Sequence, residues 1–586
     1  MQEDMLEREK IANRKKHWVR AVTACSSRCV FCLDMDTPRN LFLAEDDIKK
    51  ELHRGRDELD ADKVIISGGE ATLHPKFFDL IAYAKSIGYD RVQTVTNGWQ
   101  FASRDFYRRC MEAGLGEITF SLHGHTPELH DRLTRHKGSF KRLIKGMVRA
   151  VRDPKGPIVN VDVVINKQNV PYLDQIISLC SSLGVFEFDL LHVIPQSEAF
   201  RNRDMLFYDI LEHKDMLHKV FRLNRHPRFV IWTNRFPISY LEGLEDLIQD
   251  PHKMLDEVHG RRFQVRRYID TGEALDCRQP ERCVHCFIEP FCTTMERAID
   301  QQNKRELDVW YGALPLAFGA TRQGVRIDGI KDLPTGDHPL EVFTENDISI
   351  EGVAARDVRW IASRASQLEQ WTGQLSSNHQ LEILLNKDTE PWLLRNRAIL
   401  RAHKDQISLA QPSYETMREA VENDIVDVAE FLKVLSVDIS CQGLPMCVVG
   451  DNPWKARPRR LSEELFTKGR LTVSKLAAHH IKEEYRGKSA RCRECVYVEQ
   501  CDGLHINQIR SWGLKALKPL KLLSQPAPPK QLRIKDGLPN QPVAPSLAGY
   551  APPSNPAIDP LVVLGEEAKA RKAAKRMARM EAIRKE

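Results

Sequence analysis

Cysteine marks this chain by its grouping. Cys25, Cys29 and Cys32 fall within eight positions of ACSSRCVFCLD, separated by three residues and then by two. Thiolates bind soft metal centres, and a four-iron cluster takes one thiolate per iron. Three thiols therefore leave one iron open to a small molecule, much as a catalytic zinc site keeps a position free for water. The plainer reading of the same triplet is a zinc knuckle whose fourth ligand, a histidine for example, comes from elsewhere.

Two more groups follow. CRQPERCVHCFIEPFC supplies Cys277, Cys283, Cys286 and Cys292, four thiols in sixteen residues and enough for a closed site. The other group is split: Cys441 and Cys447 lie in CQGLPMC, and Cys492, Cys495 and Cys501 in CRECVYVEQC. Cys447 is the expected fourth ligand there, with Cys441 as the alternative. Both groups contain Cys-x2-Cys-x5-Cys, a partial internal repeat, and both admit iron-sulfur or tetrahedral zinc. Cys110 and Cys180 stand alone in helix-like sequence and read as small apolar core residues.

The elements that must position the first triplet repeat at regular intervals. Six segments rich in β-branched and aromatic residues, WVRAVTA, KVIISGG, RVQTVTNG, EITFSLHG, VNVDVVIN and FEFDLLHV, alternate with helical patterns over the first 200 residues. That alternation predicts an α/β fold, a parallel sheet curled as a partial (β/α)6 TIM-type barrel. Functional groups in such sheets gather at the carboxyl ends of strands. Those ends hold the three cysteines, then Gly68, Gly69 and Glu70, Thr96 and Asn97, Ser121 and His123, Asn166, and His192.

At 586 residues the chain is too long for one core. Its composition, 42% hydrophobic and 29% charged, is that of a globular protein, and no run reaches the roughly 18 apolar residues of a membrane span. The charged start, MQEDMLEREKIANRKKHWVR, has no signal-peptide core, so a reducing cytoplasm is expected and a disulfide framework is not. A net charge of +6 is small for this length and does not announce a nucleic-acid binder. The expected organisation is a charged N-terminal helix (1–16), the barrel (17–200), a helical extension (201–260), a first cysteine region (261–350), a helical insertion (351–440), a second cysteine region (441–523), a Pro-rich linker (524–560) and a basic C-terminal helix (561–586).

Over residues 17–200 the sequence resembles the radical S-adenosylmethionine (SAM) superfamily. The resemblance rests on Cys-x3-Cys-x2-Cys with Phe31 before the last cysteine, the GGE of Gly68 to Glu70, TVTNG, SLHG followed by HDRLT, and GSF before a helix. It implies a 4Fe-4S cluster on Cys25, Cys29 and Cys32, with S-adenosylmethionine on the open iron and Phe31, Gly68, Gly69, Glu70, Ser121, Asn166 and His192 around that cofactor. It also implies an electron donor such as flavodoxin or ferredoxin, and reductive cleavage to a 5′-deoxyadenosyl radical that takes hydrogen from a substrate. The later cysteines resemble SPASM or twitch auxiliary-cluster regions, although two groups split by an insertion depart from the usual seven-cysteine order. That likeness points to a peptide or protein substrate. RNA modification is the alternative, prompted by the basic tail and by RRFQVRRY at 261–268; a non-catalytic metal-stabilised binding protein is the third reading. No catalytic acid or base is named by the sequence.

Overall fold

The computed structural model describes residues 15–312, 319–353 and 356–521. The N-terminal helix expected over 1–16 lies outside them except for its last two residues, and the linker and basic helix expected over 524–586 lie outside them entirely.

Seven strands form the first sheet: β1 Lys16–Val22, β2 Lys63–Gly68, β3 Arg91–Thr96, β4 Glu117–Ser121, β5 Ile158–Ile165, β6 Glu187–His192 and β7 Val230–Asn234. Every neighbouring pair is parallel and the order in space is the order in the chain. Right-handed crossovers repeated in one direction place all the helices on one face, so the sheet curls into a half-barrel. The helix-covered face is apolar: Val64, Ile66, Val92, Ile118, Phe120, Val161, Val163, Phe188 and Leu190 are all fully buried. The opposite face is polar and lines a lumen. The register puts Ser121 beside Asp162, and Asp162 beside Asp189. At the far end Lys63 Nζ and Asn160 Nδ2 each donate to Glu117 at 2.9 Å, closing the floor. The seventh strand corrects the expected count of six and replaces part of the helical extension expected over 201–260.

A second sheet follows: β8 Val309–Tyr311, β9 Gln323–Arg326, β10 Leu340–Phe343, β11 Val358–Ala362, β12 His379–Leu384, β13 Ile407–Ala410, β14 Ser440–Gln442, β15 Trp454–Lys455 and β16 Arg460–Ser462. All pairs are again parallel and sequential, except that β16 returns to pair with β8. β15 and β16 occupy opposite edges of the sheet, yet the chain between them spans at most ~18 Å, whereas a flat nine-stranded sheet would hold its edges ~38 Å apart. Residues 454–462 therefore act as one strand, paired first with β14 and then with β8, and the ring closes. Side chains meeting across the lumen confirm the closure. Arg460 bonds Glu341 on β10 and donates to both oxygens of Glu382 on β12 at 2.8 and 2.9 Å. Gln442 on β14 donates to the same carboxylate at 2.9 Å. Glu341 and Glu382 are fully buried, so this interior is an ionic core.

This barrel corrects the helical insertion expected over 351–440. Within that stretch WLLRNRAILRAH and VAEFLKVL do form helices (Thr389–Arg395, Arg397–Ala402 and Val428–Leu435), but the apolar run LEILLNK contains most of β12. A short apolar run gives no periodicity that separates strand from helix. The expected boundaries at 350 and 441 cut through the ring, since β8 to β10 precede the first and β14 to β16 follow the second. Among the described residues no helix is long and apolar enough to cross a membrane.

Candidate active site

The loop leaving β1 carries the three thiols and is fastened from several sides. Arg28 and Val30 donate backbone N–H groups to Thr134 and Leu133, at the end of helix Pro127–Thr134, at 3.0 and 2.9 Å. Asn202 Nδ2 donates to Val30 O at 3.0 Å. Arg39 straps the loop: its guanidinium bonds the Ser27 carbonyl and reaches Cys32 Sγ at 3.9 Å and Cys25 O at 3.5 Å. Phe31 is buried with its ring edge-on to His123, 4.6 Å between centroids. The sequence offered no sign of Arg39 beyond its charge.

Burial pushes the Cys25 thiol up to about 11, with the Glu70 carboxylate adding to the rise. Cys29 and Cys32 are raised mainly by burial as well, and Cys25 and Cys32 both bear on Cys29. Left to themselves these groups stay protonated. A cationic metal centre is what makes thiolates favourable in such a place, so the donor set fits the cluster. Among the described residues no three His, Cys, Asp or Glu side chains converge as they would on a single ion. A four-iron cluster instead spreads its thiolates over separate irons.

Gly68 and Gly69 serve the main chain of the loop. A Cβ on Gly68 would strike Val22 O, and one on Gly69 would strike the carbonyls of Thr23 and Ala24. The N–H groups of Gly69 and Glu70 bond Val22 O and Ala24 O at 2.9 and 2.8 Å. Glu70 is buried and accepts from Thr72 Oγ1 at 2.5 Å, Thr96 Oγ1 at 2.7 Å and Asn97 N at 2.7 Å. Burial raises its carboxyl in spite of those bonds. Asn97 Nδ2 in turn donates to Ser26 Oγ at 3.0 Å, so the ends of β2 and β3 hold the thiol loop together.

The remaining expected cofactor residues divide. Ser121 faces the lumen and bonds Asp162. Asn166 is fully buried and serves its own turn, donating to Val164 O at 2.9 Å and accepting from Gln168 N at 3.0 Å. His192 lies on the helix-covered side with Phe188 and Leu190, in a cage of Tyr208, Phe236 and Tyr240. Burial, with His285 nearby, drives its imidazole down to about 3. The sequence reading missed Asp162 and Asp189, whose Oδ1 atoms are buried with no hydrogen-bond partner among the described residues. Burial lifts Asp162 to about 7, and Asp189 is also raised.

The later thiols gather as two groups. Cys277, Cys286 and Cys292 lie within range of one another's charge, and burial raises Cys292 to about 12. Cys283 Sγ lies 3.4 Å from Arg278 Nη1. Cys447 joins Cys492, Cys495 and Cys501. Cys441 is fully buried in β14, with its thiol on the Ile439 carbonyl. Cys110 and Cys180 are fully buried.

Residues 19–180 match the family model of the radical SAM superfamily. The chain carries a radical SAM domain. Its cofactors are a 4Fe-4S cluster and S-adenosylmethionine. A probable GTP 3′,8-cyclase of Saccharolobus islandicus is 28% identical over 213 residues, 35% of this chain and 68% of that protein. An AdoMet-dependent heme synthase of Oleidesulfovibrio alaskensis is 25% identical over 136 residues, 23% of this chain and 34% of that one. Among solved structures, SuiB of Streptococcus suis bound to its precursor peptide SuiA has a TM-score of 0.33 at 16% identity, covering 42% of this chain and 55% of that one. The chain thus spans about two thirds of the cyclase, a third of the heme synthase and half of SuiB. The radical SAM domain ends well before β8, so the closed barrel lies beyond it.

Proposed function

We propose that this radical SAM enzyme cleaves S-adenosylmethionine reductively and abstracts hydrogen from a peptide or protein segment, with both later cysteine groups holding auxiliary iron-sulfur clusters. The observation that carries the reading is the thiol triplet, strapped by Arg39 and keyed through Glu70 and Asn97 to the mouth of a polar-lined half-barrel. When bound, the cluster supplies the electron that breaks the cofactor's carbon-sulfur bond. Cys25, Cys29 and Cys32 would hold it, and Arg39 and the Glu70 network keep their loop in one shape. Phe31 and His123 pack edge to face beside them and are both buried.

The lumen sets what enters. Asp162 and Asp189 each present a buried Oδ1 without a hydrogen-bond partner among the described residues, which suits amide or ammonium N–H groups. The cysteine arrangement resembling SPASM regions supports a peptide substrate. The basic stretch at 261–268 lends RNA less support, because Arg261 turns into the first auxiliary cysteine group.

Anaerobic reconstitution tests the site. Replacing Cys25, Cys29 and Cys32 by alanine should abolish reductant-dependent 5′-deoxyadenosine and remove one cluster's share of iron. Cofactor cleavage that survives the triple substitution would sink the assignment. Deuterium transfer into 5′-deoxyadenosine from labelled peptides tests the substrate class, and transfer from GTP instead would move the reading to the chemistry of the cyclase relative.

A further inference from the structure

Beside the first auxiliary cysteine group lies a guanidinium with almost nothing to bond. Arg261 stands at the N-cap of helix Arg262–Thr271, and its side chain runs inward. Its Nη1 lies 3.9 Å from Cys286 Sγ, while Nε and Nη2 are buried without a partner among the described residues. The surrounding cavity is walled by Val258, Val265, Ile288 and Phe291, together with Cys277 and Cys292. Glu257 is the nearby carboxylate, but it is held by Arg235 at 2.9 and 2.8 Å.

A buried cation with free donors is costly unless an anion meets it. Among the described residues the cavity lining supplies no anionic charge: it holds no carboxylate, only apolar side chains, Gln264, Cys277 and Cys292 around the guanidinium. Four thiolates around a four-iron core would supply it, because such a cluster is anionic overall and its sulfurs accept hydrogen bonds. Cluster potentials follow net charge, hydrogen bonds to sulfur and solvent exposure.

Arg278 is the built-in contrast. It too touches a cluster thiol, Cys283, but its charge is taken by Glu289 at 3.0 Å and by Glu296 at 2.8 Å. At the second group the near cation, Arg491, is likewise bound to Glu242 at 2.9 Å, and Cys447 receives the Lys518 backbone N–H at 3.4 Å.

We propose that Arg261 is the counter-ion of the first auxiliary cluster and holds its reduction potential above that of the second. The proposal rests on the auxiliary-cluster reading, so its test must separate the two. The full chain with Cys25, Cys29 and Cys32 replaced by alanine leaves only the auxiliary signals. In that background iron and sulfide are counted and an EPR-monitored redox titration is run for Arg261, Arg261→Lys and Arg261→Met.

One of the two midpoints should move to more negative potential in Arg261→Met at unchanged iron content. The shift should be at least about tenfold in the reduced-to-oxidised ratio, or about 59 mV for one electron, with most of it restored by Arg261→Lys. An unmoved midpoint at full iron content overturns the role of Arg261. Iron absent from the first group in the parent protein overturns the cluster reading instead. If Arg261→Met does not hold iron, Arg261→Gln replaces it, and equal potentials for Gln and Lys overturn the proposal.

Discussion

Asp424 is a carboxyl placed where ionisation is disfavoured. It follows helix Met417–Asn423, accepts from Gln508 Nε2 at 3.2 Å, and is lifted by burial to about 7. Because the folded value lies above the unfolded one, the native state keeps a proton that the unfolded chain releases. Stability therefore falls as pH rises from about 4 to 7 and levels off above that. Asp424→Asn should flatten this slope and recover up to ~4 kcal/mol at pH 8, read by urea unfolding at several pH values. Glu70 poses the same problem, a buried carboxyl raised in spite of the donors around it. The same cost of burial acts at Arg261, whose Nε and Nη2 are without a partner among the described residues.

At the scale of elements, the β1 loop and the β2 end are built as one piece. Gly69→Ala would drive a methyl group into the carbonyls of Thr23 and Ala24, and the thiol loop would have to shift. Thermal unfolding should show a loss of more than ~2 kcal/mol, and reconstituted iron should fall with it. Much of this region was legible in the sequence. The six strand segments, their polar ends and the thiol triplet are local patterns, and local patterns survive reading without a structure. The polar lumen was also written there: in EITFS, IVNVDVVI and EFDLLH the polar residues Glu117, Thr119, Ser121, Asn160, Asp162, Glu187 and Asp189 alternate with apolar ones. Strand β7 escaped because five residues, VIWTN, sit among helical neighbours. The ring from β8 to β16 escaped because its strands run from two to six residues, too short to show a period. Its closure depends on pairings far apart in sequence. Arg39, Asp162 and Arg261 were invisible as site residues because only the fold brings them to their partners.

At the scale of the whole molecule, Glu484 joins parts of different origin. Arg297 Nη2, from helix Glu289–Lys304 of the first auxiliary region, donates to it at 2.7 Å. Arg459 Nη1, from the closing strand of the second barrel, donates at 3.3 Å. These cations, with Arg457, outweigh burial and hold the carboxyl down to about 2. Its stabilising contribution is present at neutral pH and is lost as pH falls from about 4.5 toward 2. Glu484→Gln would remove the carboxylate that Arg297 and Arg459 share, while Arg457 keeps Glu483, and should cost about 3–5 kcal/mol at pH 7, measured as a drop in the midpoint of thermal unfolding. The double variant with Arg297→Met should recover part of that loss.

The way the second ring shuts also governs when metal can arrive. Cys447 sits in the short helix Met446–Val449 after β14, ahead of the strand that completes the circle, whereas Cys492, Cys495 and Cys501 come after it. Those four sulfurs meet only once the circle exists, while Cys25, Cys29 and Cys32 are neighbours along the chain from the moment they are synthesised. Iron uptake during refolding should therefore be staggered, and a lesion at Arg460 that leaves the ring ajar should delay the late phase and spare the early one.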